Sequence, residues 1–444
     1  MFLCFGRGTF FNSTFCKTNC SIENFGRSRI PTLISDVITT ILLSVMLFWT
    51  GYNGAIIWVG IRSRPNHLTK ETENREQLPK VSIIVPTKNE EVVIGRCLSS
   101  LLNLDYPKDK MEVIVVDGNS SDSTGKVCSE FVAKYPQTFT FITENHESKG
   151  KPGALNLAMP YTTGDIIGVF DADSVPESNV LKKVASYLND KKIMAIQGTT
   201  TSINERKNIL TRVIAMEEKA WFQALLSGKE KLHLFLPLNG SCQFIRRTVL
   251  NDLGGWDENS LTEDVELALR LVEKNHLIKY APDISSGQET PNNLGDLVKQ
   301  RVRWYRGYME TGIKYGRLLN KLNKKTIDAE IALSGPFMMV ISLLSYINWF
   351  LVAMFFSQST PIINLTGLVI ALTAISLVSV GIAVTAQERP IKFQNILWIP
   401  SIYVYWLMQI FIASWAFTKL VFRRKRVWSK TAKKGFIAPY ITRA

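Results

Sequence analysis

Two aspartates one residue apart follow an apolar run that begins at residue 165. The run is partly β-branched and reads as a buried strand over residues 165–173, so Asp171 and Asp173 fall at its carboxyl end. Ligands of open α/β sheets bind beyond the carboxyl ends of the strands. Mg²⁺ and Mn²⁺ prefer carboxylate oxygens, completed by water and phosphate. The pattern therefore predicts a metal or diphosphate site, although the same two residues could simply cap a helix beginning near Pro176.

Polar residues also follow two earlier predicted strands. Pro86, Asn89 and Glu90 come at the end of the strand predicted over residues 81–86, and Asp117 ends the strand over residues 111–117. A turn that leads into a helix exposes backbone N–H groups to an anion. Asp117 would repel a phosphate, so we expect it to accept hydrogen bonds from a base or ribose. Each residue alone is explained as a turn or cap, but three groups at one sheet edge favour a nucleotide.

Two later stretches add acids and cations. Glu263 and Asp264 open a predicted helix, where acids also favour the helix dipole. Residues 300–307 combine three arginines, two aromatic residues and an amide, among them Gln300, Arg303 and Trp304. Arginine pairs bidentately with phosphate, and we expect an aromatic face to support a sugar ring. The alternative for this second stretch is a solvated basic helix face.

The elements that position these residues alternate between strand and helix from about residue 80 to 310. Further strands are predicted over 138–143 and 165–173, and helices over 90–102, 122–134 and 151–158. Such alternation predicts an α/β domain with a mostly parallel, doubly wound sheet.

Apolar sequence flanks this polar middle. The 444-residue chain is 46% hydrophobic and carries a net charge of +14. Residues 33–61 are long enough to cross a bilayer, and apolar blocks recur at about 330–356, 362–386 and 393–421. Basic residues gather beside these blocks, above all at 423–426, which is typical of the cytoplasmic edge of a membrane span or of binding to anionic lipid. This placement argues against a nucleic-acid partner. Three C-terminal spans would place this basic cluster outside, so either residues 391–400 lie in the interface or one block is re-entrant.

We therefore divide the chain into six segments. They are an N-terminal tail (1–30), a transmembrane helix (31–62), a cytosolic catalytic domain (78–306), an amphipathic interface helix (307–328), C-terminal transmembrane helices in about three apolar blocks (329–422), and a basic tail (423–444).

Taken in order, and together with residues 150–156 and 239–242, these motifs resemble the inverting family-2 glycosyltransferases. The resemblance is to the membrane-embedded branch with cellulose, chitin, hyaluronan and poly-N-acetylglucosamine synthases. It implies a nucleotide-sugar-binding catalytic domain of the GT-A type beside an α-helical transmembrane region. Residues 428–431 also look like the tail segment of these enzymes, which implies a cytoplasmic end.

The resemblance also implies a role for each motif residue. Asp264 would be the general base, and Asp173 would bind Mg²⁺ or Mn²⁺. The substrate and nucleotide would be held by Pro86, Asn89, Glu90, Asp117, Lys151, Asp171, Glu263, Gln300, Arg303 and Trp304.

The implied activity is transfer of a sugar from a UDP-sugar to a growing polysaccharide of β-linked glucose or N-acetylglucosamine, at the plasma membrane. The alternative is a single-transfer enzyme that makes a glycolipid, as ceramide glucosyltransferases do. A non-catalytic receptor or transporter subunit is a third hypothesis. The Phe-Phe-Cys-Gly segment of cellulose synthases reads Leu-Pro-Leu-Asn-Gly here, ending at Gly240, so the donor sugar and acceptor stay open.

Overall fold

A computed structural model describes residues 14–63, 78–144, 150–316, 323–355, isolated positions between 367 and 381, 397–426, 431 and 433–436. The middle apolar block of the sequence, at 362–386, lies mostly outside these described residues, as does the tail segment 428–430. The described chain falls into two compact units, residues 1–50 with 341–374 and residues 51–340 with 375–444.

The second unit contains an eight-stranded mixed sheet in the order β3-β2-β1-β4-β7-β6-β8-β5. The strands are β1 (Val81–Thr87), β2 (Met111–Asp117), β3 (Phe139–Thr143), β4 (Ile166–Val169), β5 (Val175–Pro176), β6 (Ile193–Ser202), β7 (Gln243–Arg246) and β8 (Leu277–Gln288). Strands β3, β2, β1 and β4 are mutually parallel, as the sequence predicts, while β7 runs antiparallel to both β4 and β6. The predicted α/β domain is confirmed, with a parallel half formed by β3, β2, β1 and β4.

The helices of the described residues are α1 (Thr14–Arg62), α2 (Ile94–Leu102), α3 (Thr124–Lys134), α4 (Gly150–Ala158), α5 (Val180–Leu188), α6 (Ile209–Lys219), α7 (Ser227–Lys231), α8 (Arg247–Asp252), α9 (Glu263–Glu273), α10 (Leu294–Tyr315), α11 (Lys324–Leu333), α12 (Gly335–Phe355) and α13 (Ile399–Val421). A π-helical turn, Ala220–Leu226, joins α6 to α7.

Alternating residues of β1 divide the core in two. Ile83 and Val85 pack with α2, α3 and α5, whereas Ile84 packs with α4 and α9 on the opposite face. A central strand that is buried on both faces reads as a continuous apolar run, which is why this part of the fold is predictable from sequence.

Strand β4 is shorter than the sequence predicts and ends at Val169. The backbone N–H of Phe170 still donates to Ile84, but the N–H of Ser174 then donates to the carbonyl oxygen of Asp171. This turn lifts Asp171 and Asp173 out of the ladder and into the loop beyond the sheet edge.

Within the described residues, two helices are long and apolar enough to cross a membrane, Val37–Arg62 within α1 and Ile399–Val421, which is α13. A bent pair, Lys324–Leu333 with Gly335–Leu351, also passes that test if it is taken as one span. In the first unit, Leu43 and Met46 of α1 pack with Ile341 and Leu372.

Helix α10 carries Gln300, Arg303 and Trp304, and it continues without a break past residue 307, the predicted start of a separate interface helix. Asn293 caps its start by accepting a hydrogen bond from the backbone N–H of Asp296. Residues 317–322 of the expected interface helix lie outside the described residues.

Candidate active site

The loops that follow β1 and β2 are joined to each other at the sheet edge. Asn89 has a left-handed backbone (φ +54°), which places its side-chain oxygen 2.7 Å from the donating backbone N–H of Ser121. The N–H of Asn89 donates to the Ser120 hydroxyl at 2.8 Å, and that hydroxyl donates to Asp117. The N–H of Glu90 donates to Thr124 at 2.7 Å. The structure thus brings Asn89, Glu90 and Asp117 to one rim.

Pro86 lies one residue before the end of β1, opposite Val116 of β2. Its fixed φ and missing N–H suit a strand that is about to leave the ladder. Pro86 thus contributes to the shape of this rim through its backbone.

Lys151 links Asp171 to the loop that contains Gly240. It lies in the first turn of α4, and its ammonium group donates to Asp171 and to the carbonyl oxygen of Gly240, both at 2.6 Å. Glu263 lies 3.9 Å from the same ammonium group. Burial disfavours the charged lysine, but Asp171 and Glu263 outweigh it and raise the pKa of Lys151. The ammonium group is therefore a fixed positive charge.

Asp264 lies on the other side of Gly240. A Cβ atom at Gly240 would lie 3.0 Å from Asp264 Oδ2 and 3.1 Å from Lys151 Nζ, so this glycine (φ +74°) is the spacer between them. Asp264 Oδ1 accepts a hydrogen bond from the N–H of Val265. Burial, with the negative charge of Glu263, raises the pKa of Asp264 to about 7, while Lys151 and Arg303 counteract the rise. A carboxylate with such a pKa is suited to accept a proton near neutral pH.

Helix α10 closes the site beside Asp264. The charge of Arg303 acts on Asp264, and Tyr308 is close enough that burial and the Asp264 charge together raise its pKa. Trp304 stacks with the guanidinium of Arg301, 4.5 Å from the ring centroid. Gln300 lies one turn before Arg303 and is partly buried. Thus Arg303 joins the Lys151–Asp264 cluster, whereas Gln300 and Trp304 share its helix without a described contact to it.

Asp173 is buried, and its Oδ2 accepts two hydrogen bonds. One comes from the backbone N–H of Glu289 at 2.8 Å and the other from the ammonium group of Lys433 at 2.7 Å. Asp171 and Glu90 also contribute to the electrostatic stabilisation of the charged Lys433. The C-terminal segment therefore reaches the same acidic centre as the predicted metal ligand.

Glu289 and Lys433 are site residues that sequence reasoning missed. The Glu289 carboxylate accepts hydrogen bonds from the N–H groups of Lys434 and Phe436, and Arg96 pairs with the same carboxylate at 3.2 Å. Glu289 directly follows the last residue of β8, so its place at a strand end was a usable signal. The contact between positions 173 and 433 has no local signature.

The carboxylates fit a divalent cation that phosphate oxygens would complete. Among the residues that the structure describes, no three His, Cys, Asp or Glu side chains converge as a metal site would require. Asp171 and Asp173 nevertheless supply two carboxylates, and Mg²⁺ is commonly held by one or two carboxylates with substrate phosphates and water. The position of Lys433 shows that Asp173 accepts a cationic partner.

The domain that carries this site is similar to known proteins. Residues 79–307 match the family model described as "Glycosyltransferase like family 2". The "Probable glycosyltransferase YdaM" of Bacillus subtilis is 36% identical over 296 residues, 65% of this chain and 70% of that protein. The "Beta-monoglucosyldiacylglycerol synthase" of Trichormus variabilis is 30% identical over 384 residues, 84% and 80% of the two chains.

A solved structure shares the fold. The mannosyltransferase PcManGT of Pyrobaculum calidifontis, in complex with GDP-Man and Mn²⁺, superposes with a TM-score of 0.60 at 19% identity, and the match covers 88% of this chain and 100% of that one. The matched domain contains all of the predicted site residues. This chain therefore belongs to glycosyltransferase family 2 and is a glycosyltransferase.

Proposed function

We propose that this chain is a membrane-bound inverting enzyme that transfers a sugar from a UDP-sugar to an acceptor at the membrane. One observation carries the proposal: Gly240 separates the proton acceptor Asp264 from the cation Lys151 by only a few ångströms. An inverting transfer needs a base on one side of the sugar and positive charge on the side of the departing diphosphate.

The side chains then have separate tasks. Asp264 takes the proton from the acceptor hydroxyl as that oxygen forms its bond to the anomeric carbon. The bond from this carbon to the UDP oxygen breaks on the opposite face, and the electron pair leaves with UDP. Lys151 and Arg303 offset the charge that grows on the leaving diphosphate, and Glu90 and Asp117 orient the uridine.

Asp173, with Asp171, would hold Mg²⁺ or Mn²⁺ at the diphosphate. When bound, the ion supplies Lewis-acid stabilisation of the departing phosphate oxygens. Mn²⁺ accompanies the nucleotide sugar in the archaeal mannosyltransferase of the same fold. The two carboxylates at the end of β4 support the same arrangement for this chain.

Two acceptor classes are proposed. The motif series supports a growing polysaccharide of β-linked glucose or N-acetylglucosamine. The cyanobacterial relative is named as a diacylglycerol glycolipid synthase, and its similarity covers 84% of this chain, well beyond residues 79–307. That extent supports a lipid acceptor as the second candidate, because it includes apolar segments outside the catalytic domain.

We also propose that the catalytic domain lies on the cytosolic side of the cell membrane. The basic residues 423–426 follow α13 directly and are exposed. Such clusters are enriched on the cytoplasmic side, where anionic lipids attract them.

Release of UDP by the full-length protein in lipid nanodiscs tests the transfer. The assay would use a panel of UDP-sugars, with GDP-sugars and GDP release measured in parallel, in the presence of Mg²⁺ or Mn²⁺. It would be run first without added acceptor and then with diacylglycerol, ceramide or short β-glucans. We expect one UDP-sugar to be consumed, and we expect Asp264→Asn to remove the activity while donor binding remains. Consumption of a GDP-sugar alone, or full activity in the variant, contradicts the proposal.

Product size separates the two acceptors. A lipid acceptor gives an organic-soluble product with one added sugar, whereas a polysaccharide acceptor gives a ladder of increasing length. The ladder supports the polysaccharide acceptor, and the single-sugar lipid product supports the second candidate.

A further inference from the structure

Helix α13 has the length and composition of a membrane span, yet both of its ends contact the catalytic domain. At its start, Trp398 and Ile402 pack with Val213 of α6 and Leu297 of α10. Beyond its end, the carbonyl oxygen of Arg424 accepts from Arg306, and Lys433 reaches Asp173 at 2.7 Å. A helix that crosses a bilayer places its two ends on opposite sides, about 30 Å apart.

The middle of α13 lies beside α10. Tyr405 is within 3.2 Å of Arg301, and one turn later Gln409 accepts a hydrogen bond from Tyr305 at 2.8 Å. Each pair is separated by the same 104 residues, so the two helices run parallel at this contact. In the second half of α13, Ile412, Ala413 and Ala416 form one apolar cluster with Val302 and Tyr305 of α10.

Helix α10 cannot enter the hydrocarbon with α13. Seven of its 22 residues are charged, namely Asp296, Lys299, Arg301, Arg303, Arg306, Glu310 and Lys314. The contacts on α13 extend from Ile402 to Ala416, which is about 21 Å of helix. Placing α13 across a bilayer would carry charged residues of α10 into the acyl region, where each uncompensated charge is strongly unfavourable.

The face of α13 that points away from α10 is apolar and exposed. It consists of Leu397, Val404, Phe411, Trp415 and Phe422, which are 55–71% exposed and recur at intervals of seven or four residues. We call this set the lipid stripe. Lys419 lies over the ring of Trp415 at 5.5 Å, and the exposed basic residues 423–426 follow.

We propose that α13 lies in the plane of the membrane surface, on the side of the catalytic domain, and inserts its lipid stripe between anionic headgroups. Interfacial helices combine an apolar stripe with a charged or polar face and are immersed about 5–10 Å. Here α13 supplies the stripe and the cations at its end, and the charged helix α10 packed against it supplies the polar side. The occupant of the stripe is thus a lipid surface. With α13 at the surface, Lys433 stays on the side of the catalytic domain and can contact Asp173, whatever the number of other helices that cross the membrane. The proposal does not depend on which sugar donor the enzyme uses.

Labelling of single cysteines in vesicles of phosphatidylcholine and phosphatidylglycerol tests the orientation. Cys4, Cys16 and Cys20 would be replaced by serine, and Cys97, Cys128 and Cys242 are buried. Leu397→Cys and Arg423→Cys would then mark the two ends of α13. Lys126→Cys, on an exposed position of α3, reports which fraction of the molecules has its catalytic domain outside.

A membrane-impermeant maleimide should label both ends of α13 to the same fraction as Lys126→Cys. If one end is labelled only in molecules whose catalytic domain faces the lumen, α13 spans the bilayer and the proposal is wrong. Val37→Cys and Trp58→Cys, near the two ends of the candidate span in α1, provide the expected pattern of a crossing helix.

Depth measurements provide a second, independent readout. A fluorophore on Val404→Cys, Phe411→Cys or Phe422→Cys should be quenched most by lipids brominated near the headgroup, to within a factor of about two across the three sites. Maximal quenching of the central probe by lipids brominated at the chain ends would place α13 in the bilayer centre. That result overturns the proposal, even if both helix ends are labelled from one side.

Discussion

The ammonium group of Lys433 lies 2.7 Å from Oδ2 of Asp173, the carboxylate that the sequence identifies as the metal ligand. Lys433 is the cationic partner of Asp173 among the ion pairs of the described residues, and its side chain is largely buried. A divalent cation that binds Asp173 must share this carboxylate with the lysine or displace it. The C-terminal segment is therefore energetically linked to the donor site.

Removing the Lys433 charge should strengthen metal binding in the absence of donor. We expect Lys433→Met to lower the Kd for Mn²⁺ about tenfold, because the cation no longer competes with an ammonium group; tenfold corresponds to about 1.4 kcal/mol. Isothermal titration of the full chain in nanodiscs measures it. Lys434→Met is the matched control, since it removes the same charge from an exposed neighbouring residue. Lys434 contacts Glu289 through its backbone N–H, which the substitution leaves in place. Equal effects of the two variants would show that net charge, and not the contact, is responsible.

The pH dependence of transfer should report Asp264. Burial and Glu263 raise the pKa of Asp264 to about 7, and the base must be ionised to accept a proton. We therefore expect kcat/KM to fall tenfold for each pH unit below about 7 and to level off above it. Initial rates from pH 5 to 9 at subsaturating donor give this profile.

Two variants test whether Asp264 causes the fall of kcat/KM at low pH, the acidic limb of the profile. Glu263→Gln removes a negative charge that raises the Asp264 pKa, so the limb should move to lower pH. Glu218→Gln is the control, because burial also raises the pKa of Glu218 to about 7 although it bonds Ser202 instead of the proposed base. A limb that disappears in Glu218→Gln would transfer the assignment to that residue.

Asp264 should also lower the stability of the folded protein above neutral pH. An unfolded aspartate ionises near pH 4, whereas the folded pKa is about 7. The folded state therefore binds the proton more tightly, and the free-energy cost of ionisation accumulates between pH 4 and 7 and persists above it. Asp264→Asn should raise Tm by about 2–5 °C at pH 8 and leave it nearly unchanged at pH 4. Scanning calorimetry at the two pH values tests this, and an equal Tm change at both would contradict it.

A buried ion pair beside the membrane region gives a prediction about stability. Lys229 and Asp328 are 3% and 1% exposed and lie 2.7 Å apart, and Asp328 also accepts from Tyr52 and from the N–H of Phe235. Removing one member leaves the other charge buried without compensation. Lys229→Met should therefore cost about 3–5 kcal/mol of folding free energy. Thermal unfolding in detergent measures the loss, and Lys231→Met, at an exposed position on the same helix, should change stability by less than about 0.5 kcal/mol.

Much of the donor side of the site was predictable because its residues follow buried strands. Strands β1 and β2 read as apolar runs and end at Thr87 and Asp117, within one residue of the predicted ends, so the sheet edge could be inferred. The length of β4 was overestimated, because Asp171 and Asp173 leave the ladder through a turn that bonding within residues 171–174 creates. Periodicity does not report such a turn inside an apolar segment.

The contacts of the C-terminal segment were not predictable in the same way. Lys433 lies 260 residues from Asp173 in sequence, and its basic neighbourhood read as a lipid-binding tail. The apolar composition of α13 likewise favoured a span, since hydropathy records how apolar a helix is and not which helix it packs against. Only the tertiary contacts of Tyr405 and Gln409 reveal that one face is occupied by α10.

Gly240 offers the sharpest test of the active-site geometry. Its backbone is left-handed (φ +74°), and a methyl group there would lie 3.0 Å from Asp264 Oδ2 and 3.1 Å from Lys151 Nζ. The contact must move the base or the cation by a few tenths of an ångström, and a misplacement near 1 Å can reduce the rate about a hundredfold. Because the displacement is smaller than 1 Å, we expect Gly240→Ala to lower kcat by about tenfold, while the fold is kept.

Gly254→Ala separates the geometric effect from backbone strain. Gly254 has nearly the same backbone conformation (φ +76°), but nothing lies within 4 Å of a Cβ atom placed there. Both variants therefore incur the left-handed penalty of about 1–2 kcal/mol, and both should lower Tm by similar amounts. If the kcat of Gly254→Ala falls as far as that of Gly240→Ala, general destabilisation explains the loss and the spacing between Asp264 and Lys151 does not. Because only Gly240 touches both charged groups, we expect Gly254→Ala to retain kcat within about twofold.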